Sequence, residues 1–157
     1  MIRQALGARI HQAGGFLTIR DRNENGTVRG FEICSADGYS PRDRFLDMTG
    51  EQPRIDLEVF DRVGLEYLRQ AQERSFAVLD EIGGVELLND RFMDELARYL
   101  SGSHPCIGVM KGAGPAGKLV EAGKADTAEA VALMEQLLVP GWGSWTRWSW
   151  AAPTIRL

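Results

Sequence analysis

The N-terminal part of the chain combines a helical pattern with a pattern typical of a β-hairpin. An apolar residue recurs every four positions from Ile2 to Ile10, which predicts one amphipathic helix over residues 1–12. Two β-prone runs follow, at residues 15–20 and 28–35. The segment between them contains Asn25-Gly26, a pair that favours tight turns, so we expect the two runs to pair as a β-hairpin.

The middle of the chain changes from an irregular to a helical pattern. Residues 36–55 are rich in Gly, Pro, Asp and Arg, which predicts a long connection with a short strand near Phe45–Met48. From Leu57 to Arg74 the apolar residues return to one helical face. The residues of that face are Val59, Phe60, Val63, Tyr67, Leu68 and Ala71.

Strands and helices then alternate. Residues 76–80 (FAVLD) and 105–110 (PCIGVM) are short apolar runs typical of strands buried on both faces. Asn89 is a suitable N-cap for the helix between them, and Asp126 and Glu129 have capping-box spacing ahead of a further helix. The inward face of the helix after Asn89 consists of Phe92, Leu96 and Leu100. This alternation predicts an α/β layered fold with a mostly parallel sheet.

Composition excludes several classes of protein. The 157 residues are 44% hydrophobic and 25% charged, which is typical of a folded globular chain and excludes disorder or a coiled coil throughout. No apolar run approaches the roughly 18 residues of a membrane-spanning helix. The net charge of −4 argues against nucleic acid and anionic lipid as partners. Charges interrupt the first residues, and Cys34 and Cys106 match no disulfide framework, so we expect a cytoplasmic protein.

The last residues differ from the rest of the chain. All four tryptophans fall between Trp142 and Trp150, among Gly, Ser and Thr, and fit no helical period. We therefore divide the chain into a domain over residues 1–139 and a Trp-rich tail over residues 140–157. The simplest interpretation is an extended tail on the domain surface. An aromatic platform for a partner, or for self-association, is the alternative.

The segment at residues 76–87 (FAVLDEIGGVEL) carries the most chemical information. An apolar strand that ends in Asp80-Glu81 places two carboxylates at the edge of the sheet where open α/β sheets bind ligands. There Asp80 can hold Mg²⁺ through water, and Glu81 can orient or deprotonate an attacking water. Taken alone, the pattern also fits a strand that simply ends in solvent-facing acids.

The residues around this segment strengthen the first interpretation. LDEIGGVEL resembles the DEIG–x–x–E–L stretch of the nucleoside-triphosphatase family, P-loop NTPases of the cancer-related type. GGFLT at 14–18 and RGFEI at 29–33 are similar to that family's hairpin, and GLEYLRQA and PCIGV follow in the family's order. The resemblance covers roughly residues 1–111.

The resemblance implies a three-layer P-loop fold that hydrolyses nucleoside triphosphates with loose base preference and uses Mg²⁺. Asp80 would be the metal-side acid of the Walker B position, and Glu81 the acid that activates water. The residues expected on the hairpin near the nucleotide are Gly15, Phe16 and Thr18. Glu86 matches a family position to which sequence reasoning assigns no role.

One family element is absent from the printed sequence. Family members open with a strand and a GxxxxGK[ST] loop, whose N–H groups and lysine bind the phosphates. Here Met1 falls where that loop would end. Either the start at Met1 is truncated, or the protein is a relative that has lost its phosphate site. The remaining motifs are intact, which favours a truncated start. We expect this chain to bind Mg-ATP poorly and to hydrolyse it weakly. A missing first strand would leave an exposed slot in the sheet that promotes association.

Residues 112–118 (GAGPAGK) formally match GxxxxGK. Leu119 stands where a magnesium-binding hydroxyl belongs, and Pro115 lacks an N–H group. A glycine-rich loop between strand and helix is therefore the simpler interpretation, and a rearranged phosphate loop the alternative. At the level of function the enzyme hypothesis stands beside a second one, a non-catalytic interaction module that uses the Trp-rich tail.

Overall fold

The computed structural model describes residues 2–110, which form a six-stranded mixed sheet with helices packed on it. The strands in chain order are β1 (Ala13–Arg22), β2 (Val28–Ser35), β3 (Asp43–Asp47), β4 (Arg54–Ile55), β5 (Phe76–Ile82) and β6 (Cys106–Met110). The helices are α1 (Ile2–Leu6), α2 (Leu65–Gln72) and α3 (Asp90–Leu100). A 3₁₀ helix over Gly7–Gln12, a π-helical turn over Phe60–Gly64 and a 3₁₀ turn over Val85–Leu88 complete the described elements.

Two kinds of strand pairing meet at β1. The strand order is β4-β3-β2-β1-β5-β6, with β1, β5 and β6 parallel to one another. The β1–β2, β2–β3 and β3–β4 pairs are antiparallel. The predicted α/β fold and the predicted hairpin are confirmed, with Gly26 at φ +80° in the turn. The sheet is parallel at β1, β5 and β6, and the hairpin extends it as an antiparallel ribbon.

The short strand predicted near Phe45–Met48 is present as β3, and sequence reasoning missed β4. Phe45 is buried on β3 and explains why this strand had a sequence signal. β4 consists of two residues, Arg54 and Ile55, of which only Ile55 packs against the core. Such a short, half-polar strand has no periodicity to detect.

The prediction of one continuous helix over residues 1–12 is wrong. The helix is α-helical only to Leu6 and continues as a 3₁₀ helix from Gly7. Gly7 has φ +52°, a left-handed conformation that interrupts an α-helix. Ile10 nevertheless reaches the core, so the apolar stripe predicted correctly which side of this segment is buried.

The core consists of two clusters on opposite faces of the sheet. Successive residues of a strand point to opposite faces, and Phe16 and Leu17 belong to different clusters accordingly. One cluster includes Phe16 and Phe92 and lies under α2 and α3; the other includes Leu17 and Ile10 and lies under the N-terminal helical segment. Helix on sheet on helix is the predicted three-layer arrangement.

The helix predicted from Leu57 to Arg74 is helical from residue 58, includes the π-helical turn and ends at Gln72. Its apolar residues face the core as expected. Asn89 caps α3 as predicted, because its side-chain oxygen accepts a hydrogen bond from the N–H of Phe92 at 2.8 Å. Several predictions lie outside the described residues. They concern residues 112–118, the helix from Asp126, the boundary after residue 139 and the tail at residues 140–157.

The sheet of residues 2–110 shows no slot between its strands of the kind that a missing strand was expected to leave. β5 pairs with β1 on one side and with β6 on the other, so no gap separates the strands of residues 2–110. β6 is the last strand of the described sheet.

Candidate active site

The candidate site lies where β5 ends. Ala77, Val78 and Leu79 are completely buried between neighbouring parallel strands, and Asp80 and Glu81 follow as half-buried residues. The strand therefore carries its two carboxylates from the core to the carboxyl edge of the parallel part of the sheet. This is the placement that the apolar run before two acids predicted.

The backbone is irregular at these two acids. Leu79 pairs with Gly108 and Ile82 pairs with Met110, so β5 has one extra residue at this point. Glu81 has φ +58° and is the only non-glycine residue in the described part of the chain with a positive φ. A bulge turns side chains away from a regular ladder, and bulges and strained backbone conformations are over-represented at functional sites. No local pattern in the sequence predicts this bulge.

The hairpin touches both acids from the β1 side. Thr18 donates a hydrogen bond through Oγ1 to the carbonyl oxygen of Asp80 at 3.2 Å. Arg20 forms an ion pair with Glu81, with 3.3 Å between Nη2 and Oε1. Of the three residues predicted near the nucleotide on the hairpin, Thr18 is the one that contacts the acidic pair. Arg20 was missed, because an arginine on a hairpin ordinarily faces solvent.

Gly15 and Phe16 lie in the core, below the acidic pair. Gly15 has φ +89°, and a Cβ atom there would lie 2.1 Å from the carbonyl oxygen of Val78. Only glycine allows β1 to approach β5 this closely. Phe16 is 3% exposed and packs on the ring of Phe92, with 5.8 Å between ring centroids. Both residues support the strand that carries the acids.

The turn after the acids is closed by Glu86. Its Oε1 accepts hydrogen bonds from the N–H groups of Gly83 at 2.5 Å and Gly84 at 2.7 Å, and the residue is 5% exposed. A carboxylate that accepts from two backbone N–H groups fixes the turn that leaves the site. This contact supplies the role that sequence reasoning could not assign to Glu86.

The donor set at the end of β5 fits Mg²⁺ that arrives with a phosphate ligand. Residues 2–110 contain no cluster of three or more His, Cys, Asp or Glu side chains suited to a metal ion. Mg²⁺ does not need one, since it keeps several waters and uses one or two carboxylates together with substrate phosphates. The carboxylate of Asp80 would meet that requirement.

A concave surface elsewhere on the sheet does not coincide with these acids. An open cavity of about 260 Å³ is lined by Arg44, Phe45, Asp47, Arg54, Ile55 and Asp56. These residues belong to β3, β4 and the residue after them, and β2 and β1 separate them from β5. We therefore take the acidic pair, with the positive φ of Glu81, rather than the cavity, as the candidate site.

An α/β fold in which a buried parallel strand ends in adjacent acids, followed by a glycine turn, is consistent with a P-loop-NTPase-like protein. The comparison with known families makes the assignment specific. The chain matches the family model described as NTPase over residues 1–136, and it belongs to that family.

One curated relative is similar to most of the chain. Nucleoside-triphosphatase THEP1 of Thermotoga sp. (strain RQ2) is 26% identical over 107 residues, which cover 65% of this chain and 61% of the relative. The match thus spans about three fifths of that relative's length. No solved structure matches the chain significantly. Within residues 2–110, the helices are too short or too polar to cross a bilayer.

Proposed function

We propose that this protein hydrolyses nucleoside triphosphates to the diphosphate and phosphate, with Glu81 as the residue that orients or deprotonates the attacking water. The observation that carries the proposal is the acidic pair at the carboxyl end of β5, where Glu81 has the backbone conformation of φ +58°. Family membership supports the reaction class. The name of the Thermotoga relative, nucleoside-triphosphatase, supports nucleoside triphosphates as substrates.

In this proposal Asp80 is the acid on the metal side. Bound Mg²⁺ would neutralise phosphate charge during phosphoryl transfer. Asp80 would hold the ion, directly or through water, while Glu81 keeps the water in position. Thr18 supports this arrangement because it holds the backbone of Asp80.

Gly15, Phe16 and Thr18 remain our candidates for residues near the nucleotide. The buried position of Phe16 favours a role for its backbone and for its packing, rather than direct stacking on a base. The close approach at Gly15 favours the same interpretation, since it brings the hairpin against β5. ATP, with loose preference for the base, is the substrate we propose to test first.

We further propose that the 157 residues alone turn over slowly. They contain GxxxxGK at residues 112–118, with Leu119 in place of Ser or Thr, and no GxxxxGK[ST] sequence. Without that loop, the N–H cradle and the lysine that stabilise transferring phosphoryl groups are missing. Binding of Mg-ATP should be correspondingly weak.

The test is phosphate release from Mg-ATP by the chain and by its Glu81→Gln variant. We expect slow release that depends on Glu81. Equal release by the two proteins would refute the role of Glu81. Fast release that depends on Glu81 would keep the role and refute the proposed slowness, which would direct attention to residues 112–118.

A further inference from the structure

Arg20 is placed to control the carboxylate of Glu81. Its Nη2 lies 3.3 Å from Oε1 of Glu81, across the gap between β1 and the end of β5. The side chains are 46% and 26% exposed, respectively. Exposed ion pairs contribute little to the free energy of folding, so stability alone gives little reason for this contact.

The guanidinium group of Arg20 is itself restrained from the other side. Arg20 pairs directly with Phe31 in the β1–β2 register, and directly opposite residues have their side chains on the same face. The guanidinium carbon lies 5.5 Å from the centroid of the Phe31 ring, within range of a cation–π interaction. Phe31 is half-buried against the core. Arg20 is therefore held between a packed ring and the carboxylate of Glu81.

The alternation of β1 shows how the contacts are arranged along one face. Phe16, Thr18 and Arg20 are two residues apart and point to the same side of the strand. Phe16 packs in the core, Thr18 holds the carbonyl group of Asp80, and Arg20 holds the carboxylate of Glu81. One strand thus fixes both the backbone and the side chain of the acidic pair.

We propose that Arg20 is a positioning residue for Glu81. Glu81 lies in the bulge of β5, and a glutamate side chain has several rotatable bonds, so its backbone alone does not orient the carboxylate. The ion pair with Arg20 selects one orientation of the Glu81 carboxylate. This inference rests on the proposed function, because it assigns Arg20 a part in the same hydrolysis.

A kinetic comparison tests the inference with variants Arg20→Gln, Arg20→Lys and Glu81→Gln. Arg29→Gln is the matched control, since Arg29 forms a similar hairpin ion pair with Asp21 and is 49% exposed. We expect Arg20→Gln to lower kcat about 10- to 100-fold with KM unchanged, because misplacement of a catalytic group by about 1 Å has effects of this size. Arg20→Lys should recover part of the loss, and Arg29→Gln should leave kcat unchanged.

The double variant separates positioning from other roles. In a Glu81→Gln background, Arg20→Gln should lower kcat no further, because the group that it orients is already lost. An equal loss in both backgrounds would overturn the inference. A raised KM with unchanged kcat would also overturn it and would indicate that Arg20 contacts the nucleotide directly.

A spectroscopic measurement keeps the inference testable even at very slow turnover. In protein labelled with ¹³C-glutamate, the Cδ resonance of Glu81 is identified by its loss in Glu81→Gln. We expect this resonance to move or broaden in Arg20→Gln and to stay in place in Arg29→Gln. An unchanged resonance in Arg20→Gln would overturn the inference. If wild-type phosphate release equals that of Glu81→Gln, the proposed function fails, and this spectrum still decides whether Arg20 holds Glu81.

Discussion

Substitution of Glu86 by alanine tests whether the turn after the acidic pair is built as described. Glu86 accepts two backbone hydrogen bonds through one carboxylate oxygen, from Gly83 at 2.5 Å and from Gly84 at 2.7 Å. The residue is 5% exposed, so bulk water does not replace these bonds when the side chain is removed. The Glu86→Ala variant leaves two N–H groups without an acceptor at the centre of the turn.

The expected cost follows from those two groups. A buried donor that loses its partner costs about 1–3 kcal/mol, which gives about 2–6 kcal/mol for the pair. Relaxation of the turn reduces the cost, so we expect a loss of about 2–4 kcal/mol. Small domains have about 5–15 kcal/mol of folding free energy, so this loss is easily measured.

Urea denaturation followed by circular dichroism is the appropriate assay. Glu86→Gln keeps an acceptor oxygen and loses only the charge, so its free energy of unfolding should fall by less than half as much. Glu66→Ala is the control, because Glu66 is an exposed residue of α2 that contacts only Arg69 and Gln70 side chains in the described hydrogen bonds. If Glu86→Ala unfolds within about 0.5 kcal/mol of wild type, the anchoring role of Glu86 is refuted.

Three further predictions concern other parts of the fold. Gly15→Ala should destabilise the protein by about 3 kcal/mol or more in urea denaturation, because the new Cβ atom meets a Val78 carbonyl oxygen at φ +89°. Gly26→Ala, at φ +80° with open space around it, should cost only about 1–2 kcal/mol; equal costs would contradict the argument. Asn89→Ala should cost about 2–4 kcal/mol by the same assay, since it removes the α3 cap and two donated hydrogen bonds; a change below about 0.5 kcal/mol would contradict this. Burial raises the pKa of Asp37, but hydrogen bonds from Ser35 and from the Tyr39 N–H outweigh burial and hold the pKa below its ordinary value of 3.8. The ionised carboxylate therefore stabilises the fold above that pH. This contribution is lost as the pH falls through the lowered pKa. Asp37→Asn should therefore lower the free energy of unfolding most near pH 7 and progressively less below pH 4, and a difference from wild type that stays constant with pH would count against this linkage.

Much of the sheet could be predicted because its sequence signals are local. The Asn25-Gly26 turn fixes a hairpin, and the apolar run before Asp80 marks a buried strand. Asn89 marks the start of α3 because its side chain is chemically suited to an N-cap. Each of these signals depends on residues only a few positions apart, so one sequence is enough to detect them.

The contacts that define the site could not be predicted in the same way. Arg20 meets Glu81 across 61 residues of chain, and Thr18 meets Asp80 across 62. No period or motif reveals such a pair, since it depends on the register between β1 and β5. The bulge at Glu81 has the same origin, because it arises from how β5 pairs with β6.

The structure assigns a physical role to two residues for which the family resemblance suggested importance but gave no reason. Glu86, which matches a family position, accepts two hydrogen bonds from the turn. Gly15 allows a close contact between the backbones of β1 and β5. In both cases the sequence identified the residue, but not the backbone groups that it contacts. Three-dimensional placement supplied the missing half of each argument.

The most direct test of the central claim is phosphate release from Mg-ATP, measured with radiolabelled γ-phosphate for the wild-type chain and for Glu81→Gln. Circular dichroism and unfolding in urea establish that both proteins are folded to the same extent. We predict slow release by the wild type and markedly slower release by the variant. Release by Glu81→Gln at the wild-type rate would contradict the assignment of the β5 edge as the hydrolytic site.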